Sequence, residues 1–141
     1  MLDLQPTLRA AYVTLLSGNI SVNIYDKVPS GAAYPYVYFS MFTDQYDANS
    51  NKEKNCHDAT MTLVAVAKFQ GNFGGQAVVD NIINQIVGII CPNKRTTPFS
   101  LGLNFNHNII SAEESRTFTM ESPDGVLMYR SQKFRHNINQ I

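Results

Sequence analysis

Cys56, His57 and Asp58 follow one another, a thiol, an imidazole and a carboxylate, the side-chain types that bind metals or activate a nucleophile. Their neighbourhood argues against convergence, because successive side chains on a strand point to opposite faces and the group stands at a loop edge. His107 and His136 are placed to meet across a C-terminal sheet, yet two histidines without a third ligand make a weak metal site. Cys91 follows a run of isoleucines and reads as core rather than as a nucleophile. Gly71-Asn72-Phe73-Gly74-Gly75 stands where a phosphate loop would stand, after a strand and before a helix. It lacks the Lys-Ser/Thr ending of a P-loop and the second half of a dinucleotide fingerprint, so it reads as a tight turn.

The carboxylates Asp26, Asp44, Asp47, Asp58, Glu113, Glu114, Glu121 and Asp124 adjoin turns or strand ends, not the apolar surroundings that tune an acid/base pair. Glu113 and Glu114 beside Arg116 fit a surface or intersubunit ion pair. Arg130, Lys133 and Arg135 alternate imperfectly along the last strand, a thin basis for gripping phosphate. No catalytic, cofactor or metal site is expected. The richer signal is aromatic: Tyr34, Tyr36, Tyr38, Phe39, Phe42 and Tyr46 crowd one segment, and Tyr129 and Phe134 lie near the end. Either all of them are core, or Tyr36, Tyr38 or Phe42 lies on an open sheet face and buries against another subunit, where aromatics are enriched.

The elements that position these residues follow from periodicity. Leu4, Leu8, Ala11, Tyr12, Leu15 and Leu16 recur at helical spacing, which predicts a helix over 4–17 with Asp3 as N-cap, Pro6 in the first turn and Gly18 as stop. A brief strand is expected over 22–25, and a strand with apolar side chains on both faces over 34–43. Residues 44–55 are polar and predict a long loop. Alternation over 59–69 predicts a long strand, and Val78, Val79, Ile82, Ile83, Ile86, Val87 and Ile90 predict an amphipathic helix ended by Cys91-Pro92. A turn-rich stretch over 93–102 leads to a strand over 103–110. Strands over 115–121 and 126–138 flank the turn Ser122-Pro123-Asp124-Gly125 and make a hairpin. The expected fold is α+β: an antiparallel or mixed sheet of four to five strands, two helices on one face, and a long C-terminal hairpin, in one domain over 1–141.

The 141 residues carry 11 basic and 11 acidic side chains, so no overall positive field draws the chain to nucleic acid or an anionic membrane. The acids outnumber the bases through Asp58 and the bases outnumber the acids beyond it, a tilt too small to name a partner. Two distant cysteines indicate no disulfide framework. The first residues lack the order of a secretory signal, and no apolar run approaches the roughly 18 residues of a membrane span. A soluble protein made in a reducing cytoplasm is expected.

Ile24-Tyr25-Asp26-Lys27-Val28-Pro29-Ser30-Gly31-Ala32-Ala33-Tyr34-Pro35-Tyr36-Val37 resembles the signature IYD-x-VP-x-GA-x-YPYV of small siphophage tail-completion proteins, also called tail terminators or tail-to-head joining proteins. Glu114-Ser115-Arg116-Thr117, Ser122-Pro123-Asp124-Gly125 and the strand through Phe134 and Arg135 resemble the family's closing hairpin. The resemblance implies a non-enzymatic virion protein without cofactor. It would form a ring, commonly hexameric, that caps the head-proximal end of the tail tube, ends tube polymerisation and joins the tail to the head connector. Implied partners are copies of the chain itself, the tail tube protein and a connector or stopper protein, with DNA passing through the ring without specific binding and no membrane. The candidate interface residues are Tyr36, Tyr38, Phe42, Arg116, Tyr129 and Arg130. The chain departs from the usual member at 44–55 and 93–102. Other readings are another connector or minor tail subunit of the neck, a small-ligand enzyme using Cys56, His57 and Asp58, and a nucleic-acid adaptor using Arg130, Lys133 and Arg135.

Overall fold

The computed structural model describes residues 3–46, 55–70, 75–92, 99–123 and 125–140. Leu8, Ala11, Tyr12 and Leu16 line the buried side of helix α1 (Gln5–Leu16). Leu4 is the N-cap and Pro6 sits in the first turn, where a missing N–H leaves no intrahelical bond unmade. Asp3 contributes from one position earlier than the sequence suggests: its Oδ1 accepts the Gln5 N–H at 3.0 Å. Gly18 follows with φ +79°, a backbone conformation that side chains with a Cβ resist, and the helix stops there. Helix α2 (Gly75–Ile90) buries Val79, Ile82, Ile83, Ile86 and Ile90.

Five strands form one sheet in the order β1-β2-β3-β5-β4, where β1 is Asn23–Tyr25, β2 Tyr36–Tyr46, β3 Asn55–Phe69, β4 Phe105–Ser122 and β5 Gly125–Gln140. Only β1 and β2 run parallel; the other neighbours are antiparallel, and β4 with β5 makes the C-terminal hairpin. Both helices pack on one face, so the α+β expectation is met, with a mixed sheet. Val37, Ala59, Met61, Leu63, Ala65, Phe134 and Ile138 project to this covered face and form the main core with the two helices. None of the helices among the described residues is long and apolar enough to cross a membrane.

Three sequence expectations need correction. The strand expected to end at Thr43 continues to Tyr46, and β3 begins at Asn55 rather than Ala59, so part of the expected loop over 44–55 is paired sheet. Residues 47–54 of that loop lie outside the described residues, as do 71–74 of the glycine stretch, 93–98 of the turn-rich stretch, and Asp124. The two strands expected over 103–110 and 115–121 are one, β4. Irregularities between His107 and Ile109 and between Ala112 and Ser115 absorb the polar interruption without breaking the pairing with β5. The third correction concerns the faces of β2 and is described below.

Candidate subunit interface

Residues 26–35 connect β1 to its parallel neighbour β2, and a parallel pair requires a crossover rather than a tight turn. This crossover brings Val28 and Ala32 onto the face that the helices leave open. There Tyr36, Val64 and Val66 are buried, with Tyr25, Tyr38 and Tyr129 packed against them. The rings meet edge-on or tilted, Tyr25 to Tyr36 at 5.9 Å between centroids and Tyr34 to Tyr36 at 5.2 Å. Phe118 on β4 stacks on Tyr129 at 4.8 Å and 4°. An apolar row, aromatic on every strand but β3, therefore crosses the open face, and the segment with the family-like signature builds its thickest part. Burial, then the neighbouring Tyr34 and Tyr129, pushes the Tyr36 hydroxyl up to about 12, and burial followed by Tyr129 raises that of Tyr38. These phenols stay protonated and uncharged at neutral pH.

Each candidate residue has a definite place in this frame. Tyr36 is on the open face but only 8% exposed, held in its own chain's cluster. Tyr38 and Tyr129 are half-buried beside it. Phe42 is on the other face. Strict alternation groups Phe42 with Tyr36 and Tyr38, but the β2–β3 register shifts between Phe39 and Met41, so Ser40 is an extra residue. The bulge turns Phe42 to the covered face, where it packs on the main core, and leaves Met41 on the open one at 62% exposure. Arg116 is exposed and binds Glu114. Arg130 points to the covered side, where its Nη1 reaches Asp80 of α2 at 2.6 Å and its Nε donates to the Ser115 hydroxyl at 3.2 Å. It clamps helix to hairpin.

The basic residues of β5 do not form one stripe. Lys133 and Arg135 lie on the face opposite Arg130. Arg135 binds Glu113 at 2.5 Å and Asp58 at 2.8 Å, and Lys133 lies 3.9 Å from Glu113. Every one of the three cations is matched by a carboxylate, which removes the excess charge that phosphate binding uses.

The residues with chemical potential are distributed by the same geometry. Cys56 and His57 point to opposite faces of β3, as a strand requires; the Cys56 sulfur accepts from Asn137 at 3.3 Å, while His57 contacts Asp44 at 2.9 Å. His107 and His136 do meet, Nε2 to Nδ1 at 2.7 Å, and the second nitrogen of His136 lies 2.5 Å from the Tyr12 hydroxyl. Burial lowers His107 to about 4, and burial together with His107 lowers His136 to about 3. Both rings are therefore neutral, linked through Tyr12 into a buried polar chain within the core. Burial raises the Cys91 thiol, which leaves it a poor nucleophile. Among the described residues no three His, Cys, Asp or Glu side chains gather as a metal would require.

Sequence reasoning missed two of these partnerships. Asp44 belongs to β2 rather than to the expected loop, and the alternation that continues through Thr43 and Gln45 is its signal. Tyr12 fits the apolar stripe of α1, and the signal it carries is its hydroxyl, which needs a partner once buried.

The sequence matches no family model and no curated protein. The fold is similar to a solved structure, a chain of the virion of a native gene transfer agent (GTA) particle, at 16% identity and a TM-score of 0.57, over 96% of this chain and 91% of that one.

Proposed function

We propose that this chain is a single-domain, non-enzymatic structural subunit of a phage-like virion, and that within the virion it is a tail terminator. Copies would assemble into a ring, with hexameric closure, at the head-proximal end of the tail tube. There the ring ends tube growth and offers its other side to a head connector or stopper protein. The observation that carries this reading is the fold likeness to a virion chain over nearly the whole of both chains. The signature over residues 24–37, which builds the open-face aromatic cluster, supports the terminator position. A channel formed by such subunits would let DNA pass without holding it, consistent with zero net charge and with the carboxylate-matched cations of β5.

The likeness is to a particle rather than to one position in it, so the second reading is another connector or minor tail subunit of the same neck. Light scattering of the purified protein over a concentration series, followed by negative-stain imaging with polymerised tail tubes, separates the two. Rings of about six subunits at tube ends are expected, whether preformed or assembled there. A protein that ignores tube ends but binds isolated connectors belongs elsewhere in the neck.

A further inference from the structure

The sheet has two bare edges, and its exposed large apolar side chains lie along them. Among the described residues these side chains are Met41 on β2 and Ile109, Phe118 and Met120 on β4. On one side β1 covers only residues 36–38 of β2, which leaves residues 39–46 without an outer neighbour among the described residues. On the other side β4 is the last strand, and every residue over 111–120 is exposed. Unpaired strand edges invite another strand, and proteins usually blunt them with charges, bulges or proline. The first half of β4 is blunted in this way by two bulges and by Glu113 and Glu114. Its second half, 115–122, keeps unbroken register with β5 and presents Thr117, Phe118, Thr119 and Met120, residues that suit a strand.

The two edges fit one another. β2 and β4 run in opposite directions within the sheet, so a second copy placed with its β2 beside β4 continues the antiparallel alternation. The bare spans 39–46 and 115–122 are equal in length. Aligned end to end, Met120 stands opposite Met41, Phe118 opposite Thr43 and Arg116 opposite Gln45. Open face meets open face, because the Ser40 bulge has already turned Met41 outward. The neighbour's β1 then abuts the end of β4 instead of colliding with it. Pairing two β4 strands with each other would cover that edge but leave both copies of Met41 bare, so the mixed pairing satisfies more surface.

We propose that residues 115–122 of β4 pair with residues 39–46 of β2 from a second copy of this chain, so that the sheet runs on from subunit to subunit. The contact is heterologous, one edge meeting a different edge, which is the kind that closes into a ring. The two spans sit at different heights, 39–46 beside residues 57–63 of β3 and 115–122 beside the half of β5 that pairs with 63–69. Successive copies are therefore staggered along the strands, as closure of a sheet into a barrel demands. This inference rests on the ring reading and specifies its contact.

Cysteine cross-linking of the assembled oligomer, alone or on tube ends, tests the pairing. In the Met41→Cys/Met120→Cys double variant, mild oxidation is expected to give a ladder of covalent multimers ending at the ring size. Each single variant, which retains Cys56 and Cys91, is expected to give none. A covalent dimer from Met120→Cys alone would mean that β4 pairs with β4 and overturns the proposal. Intact rings in which the double variant gives no ladder overturn the edge contact and leave the ring reading standing. Failure of the native chain to form any oligomer, alone or on tubes, overturns both.

Discussion

The two faces of one sheet solve burial differently. On the covered face, aliphatic side chains and Phe134 lie under two helices, and three polar side chains among them are linked as Tyr12–His136–His107. On the open face no helix is available, and Val64 and Val66 are hidden by tyrosines and by the 26–35 crossover. Beyond the tyrosines, that face also carries the Asp58–Arg135–Glu113–Lys133 network. Aliphatic burial is worth most when water is excluded completely. Tyrosine tolerates partial exposure, because its ring covers apolar neighbours while its hydroxyl stays wet. The covered face is thus the larger source of stability, and the open face keeps its tyrosines partly in water.

The sharpest way to break this comparison is to truncate one aromatic on each face. Phe134→Ala, at a fully buried site, is expected to cost about 3–5 kcal/mol in denaturant unfolding. Tyr129→Ala removes a half-buried ring and its stack on Phe118, and a loss of about 1 kcal/mol is expected. Equal losses would mean that the open face is core in the isolated chain, and the contrast would fail. Under the edge-pairing proposal, Tyr129→Ala also weakens assembly, because it removes the support beneath Phe118.

Acid acts on the covered face alone through the histidine pair. Both rings have pKa values below the ordinary 6.5 in the folded chain, so the unfolded chain binds more protons as the pH falls. Their contribution is complete above about pH 6.5 and is lost as the pH falls through about 4 for His107 and about 3 for His136. By pH 4 the loss from His136 alone is on the order of 3 kcal/mol, and the half-exposed His107 adds a smaller amount. Carboxylates titrate in the same window, so the measurement is the difference in slope between the native chain and His107→Gln/His136→Gln. The variant is expected to be flatter between pH 6.5 and 4, and equal slopes would show that the buried chain is not what acid attacks.

How much of this was legible in the sequence depends on the range over which each signal acts. The alternation over 59–69 and the isoleucine spacing over 78–90 are local, and β3 and α2 contain both spans, with β3 beginning earlier, at Asn55. The meeting of His107 and His136 across the C-terminal sheet is expected from the sequence, and the pairing of β4 with β5 brings it about. The Arg130–Asp80 clamp joins residues 50 positions apart, and nothing local announces it. The joining of two expected strands into β4 was hidden for a different reason. A bulge adds a residue without changing composition, so an interrupted pattern and a bulged strand read alike.

The smallest expected effect tests the bulge that misdirected Phe42. Phe39 pairs with Leu63 and Met41 with Thr62, so the ladder is already continuous without Ser40. Deleting Ser40 should leave Tyr36 and Tyr38 on the open face and Phe42 in the core, with a stability change within about 1 kcal/mol for the altered local twist. Deleting Thr43, two residues beyond the bulge, would instead invert everything after it, turning Asp44 away from His57. Thermal melts of the two deletions, with amide exchange along β3, distinguish these outcomes. A Ser40 deletion as damaging as the Thr43 deletion would mean that the bulge is required, with its twist holding β2 at the angle that keeps both faces packed.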